Sequence, residues 1–353
     1  MSKRKNLVKE FLNDSLDFDN LKIIVTSRHN YLNTYDFQIH FEILPFSILQ
    51  IQEFYQIIKG VELDKNKIDC DNLDVLGIPV ILYMAIMVNI DLTTKATRLE
   101  LYSRIFAKKG GIFDRLNFKG SGYDNGFQPL RDKENVNRYL GFLQRVAFLM
   151  FEKDNLVLTK NEYDIPELEI QGEKVGVIEF PIKPLFENSE YNIEFIHKSI
   201  YEYFVSEYIF TSIIKKNTEH DLAETFGKML ISNKLSYEVL EFLRYKVKYQ
   251  ADNRLRDIIY KTFQIMLRDG MTFYTNNCYK NVIDCEFMIL SNMLEIIHIW
   301  EDTNLKFDDI YKYIKTGSGI ELNLSGMDLR KIDWDNIDLS NVRVKNINLD
   351  NMK

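Results

Sequence analysis

The chain has 353 residues, 46% of them hydrophobic, and its formal net charge is −7 with no block of like charge. This length can bury a sizeable core over two or three domains. The acidic balance argues against binding to nucleic acid or to an anionic membrane surface. Abundant Tyr and Phe with sparse Pro and Gly favour a mainly helical globular protein.

The cysteines and the N-terminal residues predict a cytoplasmic protein. Cys70, Cys278 and Cys285 form an odd set without CxxC spacing, so we expect reduced thiols and no metal site. The first residues, MSKRKNLVKEFLND, are basic but lack the apolar core and cleavage site of a signal peptide. The longest apolar run, Val75–Val88, is too short to span a bilayer.

The first predicted elements place an arginine at the end of a buried strand. Lys5–Leu16 has a helical pattern, and Leu21–Val25 is a short apolar run typical of a parallel strand buried on both faces. This strand ends in TSR, with Arg28 last. Ligands of open α/β sheets bind beyond the carboxyl ends of the strands, so Arg28 is a candidate ligand-binding residue. The same pattern also occurs where a strand simply passes into a loop and binds no ligand, and this alternative stays open.

Two helices are predicted next. Ser47 follows an edge strand and is predicted to cap the helix Ile48–Ile58. The run Leu73–Val88 is apolar almost all round, as expected for a helix deep in a bundle. Pro79 lies near its start, where the first turn of a helix tolerates proline. From the residues alone, this is a helix N-terminus in a core.

The middle of the chain mixes helices with short strands. The patterns predict helices at Ala96–Phe106 and Tyr139–Phe151, a loop at Lys108–Pro129, and short strands with a hairpin within Leu156–Pro184. Apolar residues at helical spacing in Asn192–Phe210, NIEFIHKSIYEYFVSEYIF, predict a helix with one buried face, entered by a strand-like NIEFI and with His197 at its start. His197 lies in that face. It is either a core residue or a hydrogen-bond donor to an anion in a cleft.

The following region is predicted to be helical and carries no motif that we can connect to chemistry. His298 lies on an apolar stripe there and is expected to be a core residue. The predicted helices are Leu222–Ile231, Ser236–Lys246, Leu255–Arg268, Val282–Ile299 and Asp308–Ile314.

An internal repeat of five residues begins at Leu322 and runs six times. This period fits neither a helix nor a strand, but it fits a square right-handed β-helix whose apolar residues point inward. The segment is identified as a member of the pentapeptide-repeat family. Six units make about one and a half coils, so we expect them to need capping against the helical region. The inward positions are Leu322, Leu324, Met327, Leu329, Ile332, Trp334, Ile337, Leu339, Val342, Val344, Ile347 and Leu349.

Four segments resemble the motifs of NACHT-type STAND NTPases. KIIVTSR resembles the sensor-1 segment, LPFSILQIQEFY the exit from the nucleotide domain, GIPVIL the GxP element, and FIHKSIYEYFVSEYI the FxHxSxxEYxxA segment of the winged helix. The resemblance implies that Arg28 faces the terminal phosphate of a nucleotide. It also implies that Pro79 packs on the adenine ring and that His197 contacts the β-phosphate of ADP in the resting state.

The resemblance implies a mainly α protein with a remnant α/β nucleotide-domain edge, a winged-helix domain and a short C-terminal right-handed pentapeptide β-helix. The implied domains are a nucleotide-domain remnant at 1–40, a helical domain at 41–95, the winged helix at 96–215, a helical arm at 216–317 and pentapeptide repeats at 318–353.

The chain contains no GxxxxGK[ST] motif, and no apolar strand ending in paired acids precedes Leu21. Both are required for NTP hydrolysis, and the family order places both before KIIVTSR. We therefore expect no catalytic residues and no metal site. ADP or ATP is expected only together with a missing N-terminal Walker A and B region. Either the reading frame is truncated or the protein works without hydrolysis.

Two functions are consistent with these features. The first is the C-terminal regulatory or sensor portion of a NACHT-type STAND signalling ATPase, in bacterial signalling or defence. Full-length members of that family are ATPases, but the isolated chain should not hydrolyse NTP. Its expected partner is another protein or a second copy, including a separate N-terminal NACHT half, with no nucleic acid and no membrane. The alternative is a non-enzymatic pentapeptide-repeat scaffold with vestigial nucleotide motifs.

Three other functions are disfavoured. A DNA-binding winged helix would need a basic recognition helix, yet Tyr201–Tyr208 carries two glutamates and no lysine or arginine. A DNA mimic would need a longer solenoid of pentapeptide repeats. An unrelated hydrolase is disfavoured because the five histidines form no HxxxH or triad-like grouping.

Overall fold

The structure is a computed structural model, and it divides into two compact units, Met1–Pro45 and Phe46–Lys353. The residues that it describes are 44–64, 68, 73–115, 133–159, 168–170, 173–175, 182–187, 190–250, 253–271, 282–298, 305–306, 322–323, 332–333 and 342–343. Arg28 and the predicted elements at 5–16, 21–25 and 308–314 lie outside the described residues. Every described helix and strand belongs to the second unit.

The first described helix, α1 (Ile48–Lys59), begins and ends with local capping signals. Ser47 Oγ accepts a hydrogen bond from the Gln50 amide, and the Gln50 side chain accepts one from the Ser47 amide. This reciprocal capping box satisfies amides that would otherwise lack partners. Gly60 ends the helix with a φ of 72°, which favours glycine. The prediction that Ser47 caps this helix is confirmed.

The next apolar run forms two helices, α2 (Leu73–Leu76) and α3 (Pro79–Met87). The break falls at Gly77-Ile78, and Pro79 is the first helical residue, where its missing amide proton costs no hydrogen bond. The helix is buried on most sides, which confirms its predicted place deep in the core. Its buried residues are Ile81, Leu82, Met84, Ala85 and Ile86.

The chain continues with three helices, α4 (Arg98–Ile105), α5 (Ile112–Arg115) and α6 (Lys133–Glu152). Thr97 caps α4 in a second capping box with Glu100. The short helix α5 corrects the prediction of a loop at this point. Ile112 and Phe113 are fully buried, so α5 contributes to the core although the surrounding sequence is rich in glycine.

Five short strands come after α6: β1 (Val157–Thr159), β2 (Leu168–Ile170), β3 (Glu173–Val175), β4 (Ile182–Glu187) and β5 (Glu190–Phe195). Strand β5 is the middle strand of an antiparallel sheet, with β1 and β4 on either side, and β2 pairs with β3. The prediction of short strands with a hairpin within Leu156–Pro184 is therefore confirmed by β1, by the paired strands β2 and β3, and by the start of β4.

Within Asn192–Phe210, the strand-like entry lies on strand β5 through Phe195, as predicted, and the helix begins at Lys198 rather than at Asn192. Ile193 and Phe195 are buried and alternate with the half-buried Glu194 on strand β5, which is a two-residue period. Helix α7 (Lys198–Ile214) begins only after His197. It is buried on more than one face, because α6 and α9 (Tyr237–Gln250) both pack against it. Ser199, Glu202 and Ser206 are therefore buried together with its apolar residues.

The other C-terminal helices are α8 (Glu219–Met229), α10 (Asn253–Asp269) and α11 (Val282–His298). The four helices predicted here from Leu222 to Ile299 are confirmed within a few residues at each end. Asn292 of α11 is fully buried and makes three hydrogen bonds to the link between α8 and α9. It accepts from the Leu235 amide and donates to the carbonyls of Leu230 and Asn233, all within 2.9 Å.

Four two-residue strands lie in the C-terminal part: β6 (Leu305–Lys306), β7 (Leu322–Asn323), β8 (Ile332–Asp333) and β9 (Val342–Arg343). They pair in parallel, β6 with β8 and β7 with β9. In the second pair Leu322 lies opposite Val342, twenty residues further along the chain. This spacing equals four units of the five-residue repeat.

The described residues are mainly helical, which confirms the coarse fold class. No helix among them is long and apolar enough to cross a membrane. Cys285 on α11 is disulfide-bonded, which corrects the prediction that all three cysteines are reduced thiols. The bond depends on which sulfur atoms approach in three dimensions, and the sequence spacing does not reveal this. Its partner lies outside the described residues.

Two glycines provide a matched test of the packing. A Cβ at Gly111 would lie 2.2 Å from the Ala107 carbonyl oxygen, whereas a Cβ at Gly141, within α6, would meet nothing within 4 Å. We expect Gly141→Ala to raise the free energy of unfolding by about 0.5–1 kcal/mol, because alanine favours a helix. Gly111→Ala should lower it by more than about 1 kcal/mol, because backbone must move. Chemical denaturation measures both, and equal effects of the two substitutions would contradict this packing.

Candidate functional site

The candidate site lies at the start of α7, where His197 joins strand β5 to the helix. His197 has extended backbone angles, with φ −148° and ψ 141°, as expected for an N-cap residue. Its Nδ1 accepts a hydrogen bond from the Ser199 amide over 3.2 Å and lies 2.6 Å from Ser199 Oγ. The imidazole therefore takes the capping role that Ser, Asp or Asn usually fills. These contacts fix the orientation of the ring.

Tyr102 of α4 reaches the same point from the other side of the core. Its hydroxyl is hydrogen-bonded to Ser199 Oγ, although the two residues are far apart in sequence. Burial raises the pKa of Tyr102 to about 12, so the hydroxyl keeps its proton at neutral pH. Ser199 is thus held between the Tyr102 hydroxyl and the His197 ring.

Glu202 places a carboxylate in the same region, one turn further along α7. Its side chain is only 4% exposed, and Lys198 Nζ lies 3.0 Å from its Oε1. Burial raises the pKa of Glu202, because the charged form loses its hydration, and the nearby Lys198 and Arg98 offset only part of this effect. The negative charge of Glu238 on α9 raises the pKa of Glu202 further.

Aromatic rings surround these polar groups and pack α4, α7 and α9 together. The Phe242 ring meets the Tyr102 ring edge-on, with centroids 5.2 Å apart, and meets the Tyr203 ring at 5.6 Å. Phe106 stacks on Tyr203 at 5.5 Å and contacts Phe204 at 5.0 Å. Close-packed rings leave the Tyr102 hydroxyl little freedom, which is a condition for a defined hydrogen-bond geometry.

An ion pair fixes α9 to α7 about one and a half turns beyond Glu202. Lys246, 1% exposed, donates a hydrogen bond to the Glu207 carboxylate. Its Nζ also lies 5.3 Å from the centroid of the Tyr203 ring and 5.7 Å from that of Phe210. An opposite charge and two ring faces replace much of the hydration that a buried ammonium loses.

The three residues predicted to contact a nucleotide have different places in the structure. Arg28 lies outside the described residues. Pro79 is exposed at the first position of α3, and His197 is half-buried at the start of α7. Helix α3 packs on α4, which carries Tyr102, and Tyr102 contacts Ser199 beside His197.

Sequence reasoning missed most of the groups around His197. Ser199 stands in the predicted motif without an assigned role, and Tyr102 appears only as one residue of an amphipathic helix. Lys246 and Glu207 are separated by thirty-nine positions, and neither has a distinctive local pattern. The only available signal is the occurrence of charged residues within otherwise apolar helical stretches.

The described residues contain no group of three or more His, Cys, Asp or Glu side chains able to hold a metal ion. A scan against protein-family models finds none that matches this chain, and a search of curated proteins finds no match either.

The raised pKa of Glu202 predicts how a substitution changes stability with pH. A folded-state pKa above the unfolded value means that the native state binds more protons, so stability falls as the pH rises between the two values. Glu202→Gln removes the desolvated charge. We expect the variant to unfold at higher denaturant concentration than the wild type at about pH 8, with the difference vanishing near about pH 4.

Urea denaturation of both proteins across this pH range is the measurement. The acidic end is an internal control, because the carboxyl group is then mostly protonated in both the folded and the unfolded wild type. A Gln variant that is less stable at alkaline pH would mean that Lys198 and Arg98 stabilise the carboxylate more than burial disfavours it.

Proposed function

We propose that this chain is the C-terminal regulatory or sensor portion of a NACHT-type STAND signalling ATPase, working in the cytoplasm in bacterial signalling or defence. In this proposal His197 contacts the β-phosphate of ADP bound to a nucleotide domain and so holds the resting state. The domain divisions given in the sequence analysis belong to the same proposal. The observation that carries it is the fixed orientation of His197 at the start of α7.

The geometry at His197 supports an anion contact in two ways. A ring whose Nδ1 accepts from Ser199 has a proton on Nε2 to donate. The start of a long helix also carries partial positive charge, which favours a phosphate oxygen nearby. Neither effect requires a positively charged imidazole.

The arrangement of elements supports the winged-helix and β-helix parts of the proposal. Helices α4 and α6, the antiparallel sheet β1-β5-β4 and helix α7 follow one another in the order expected of a winged helix. The parallel pairing of Leu322 with Val342 has the spacing of one coil of a four-sided β-helix made of five-residue units.

Pro79 and Arg28 complete the proposed nucleotide contacts. The exposed position of Pro79 at the start of α3 leaves its ring accessible to an adenine. Arg28 would pair with the terminal phosphate, since a guanidinium group can bind two phosphate oxygens at once. With no Walker A motif in the sequence, the phosphate cradle must come from a NACHT nucleotide-binding half.

The isolated chain should therefore bind ATP or ADP only weakly. We expect isothermal titration calorimetry to detect no stoichiometric complex at micromolar nucleotide, because three peripheral contacts cannot replace a phosphate loop. The matched variant His197→Asn keeps a good N-cap and should be as stable as the wild type. A stoichiometric micromolar affinity of the isolated chain would contradict the proposal.

One observation favours the second candidate, a non-enzymatic scaffold that binds another protein. Three large apolar side chains in α1 and just after it are more than half exposed, and a protein partner that covered them would bury their apolar surface. They are Leu49, Ile57 and Val61. A partner that carries a Walker A motif supports the regulatory proposal. A stable complex with a protein that binds no nucleotide supports the scaffold instead.

A further inference from the structure

The donor and the acceptor of each hydrogen bond around His197 can be assigned, starting from the Ser199 amide. The Ser199 amide donates to His197 Nδ1 over 3.2 Å, and an amide N–H can only donate. Nδ1 must therefore be the unprotonated nitrogen. In a neutral imidazole this places the proton on Nε2.

The roles of the Ser199 and Tyr102 hydroxyl groups as donors follow from this assignment. Ser199 Oγ lies 2.6 Å from the unprotonated Nδ1, so the serine hydroxyl donates its proton to the ring. That proton is then unavailable to Tyr102, so the tyrosine hydroxyl is the donor in its contact with Ser199 Oγ. The raised pKa of Tyr102 is consistent with this role, because the hydroxyl keeps its proton.

We propose that Tyr102 and Ser199 are positioning residues that hold His197 as a neutral imidazole protonated on Nε2, and that Phe242 connects them to α9. The opposite tautomer would direct an N–H group at the Ser199 amide N–H and lose that hydrogen bond, and Ser199 Oγ would then have to accept from Nδ1 instead of donating to it. The Nε2–H form should then prevail by more than about tenfold. The use of this proton on a phosphate oxygen rests on the proposed function, whereas the tautomer does not.

Phe242 connects α9 to Tyr102 because its ring packs edge-on against the Tyr102 ring. Phe242 is 1% exposed and contacts the rings of both Tyr102 and Tyr203 edge-on. Arg98, on the same helix as Tyr102, holds α9 as well. Its guanidinium carbon lies 5.5 Å from the centroid of the Phe242 ring, and its Nη1 lies 3.6 Å from Glu241 Oε2. A shift of α9 therefore displaces the Tyr102 ring, whose hydroxyl is the first donor in the series of hydrogen bonds that leads to His197 Nδ1.

The test is the protonation state of the His197 ring nitrogens in the full chain, labelled with ¹⁵N-histidine and free of added nucleotide. Long-range ¹H–¹⁵N correlation spectra separate an unprotonated from a protonated ring nitrogen, and His197→Asn assigns the signals by their loss. We expect the Nδ1 signal of the wild type at the unprotonated position and the Nε2 signal at the protonated position.

Conservative variants then test the positioning residues. Ser199→Ala and Tyr102→Phe each remove a single hydroxyl group, and both should shift the His197 nitrogen signals toward a mixture of tautomers, Ser199→Ala by more. Phe242→Leu should shift them in the same direction. Phe226→Leu is the matched control. Phe226 is also fully buried, on α8, and within the described part of the chain its ring is paired with neither the Tyr102 ring nor the Tyr203 ring.

A protonated Nδ1 in the wild type would overturn the proposal, as would identical His197 signals in the wild type and both hydroxyl variants. Unchanged signals in Phe242→Leu would overturn the connection to α9. A failure of the proposed function can be distinguished from a failure of the positioning proposal. If the tautomer responds as expected but the native assembly holds no nucleotide, the positioning residues stand and the nucleotide contact does not.

Discussion

The burial of α7 on several sides at once is the constraint on which the rest of the structure depends. Helices α6 and α9 both pack on it, and strand β5 leads directly into it. A helix in this position cannot direct all of its polar groups to solvent, so Ser199 and Glu202 lie in the core. Each needs a local partner, since a buried polar group without one costs about 1–3 kcal/mol. Tyr102 provides a hydrogen-bond partner for Ser199, whereas Glu202 forms an ion pair with Lys198.

The interface of α7 with α9 combines polar specificity with large apolar contacts. Removing a buried phenylalanine such as Phe242 typically costs about 3–5 kcal/mol, so ring packing supplies much of the stability. The Lys246–Glu207 pair adds a directional constraint, because a buried ammonium needs its carboxylate in one register of the two helices. Asn292 fixes the loop before α9 with three hydrogen bonds. The position of α9 against α7 is thereby determined by polar as well as apolar contacts.

Local chemistry predicts the helices and their caps well, because capping boxes and proline act within a few residues. Ser47 and Pro79 are examples. The same reasoning recognises a strand-like entry to α7 but gives the helix the bounds Asn192–Phe210, because Phe195 and Ile196 fit both the strand period and the helical period. The site itself is mostly invisible to sequence. His197 is a candidate from its motif, but the contact between Ser199 and Tyr102 beside it spans ninety-seven positions and depends on packing.

The nucleotide content of the native assembly tests the central claim most directly. The protein would be purified from its source cells through a C-terminal tag, in the wild type and in His197→Asn expressed in its place, and the bound nucleotide measured by mass spectrometry. The account predicts ADP in the wild-type assembly and a substantially lower amount in the variant, with both proteins folded. An assembly without nucleotide, or one that retains equal ADP in both, would contradict it.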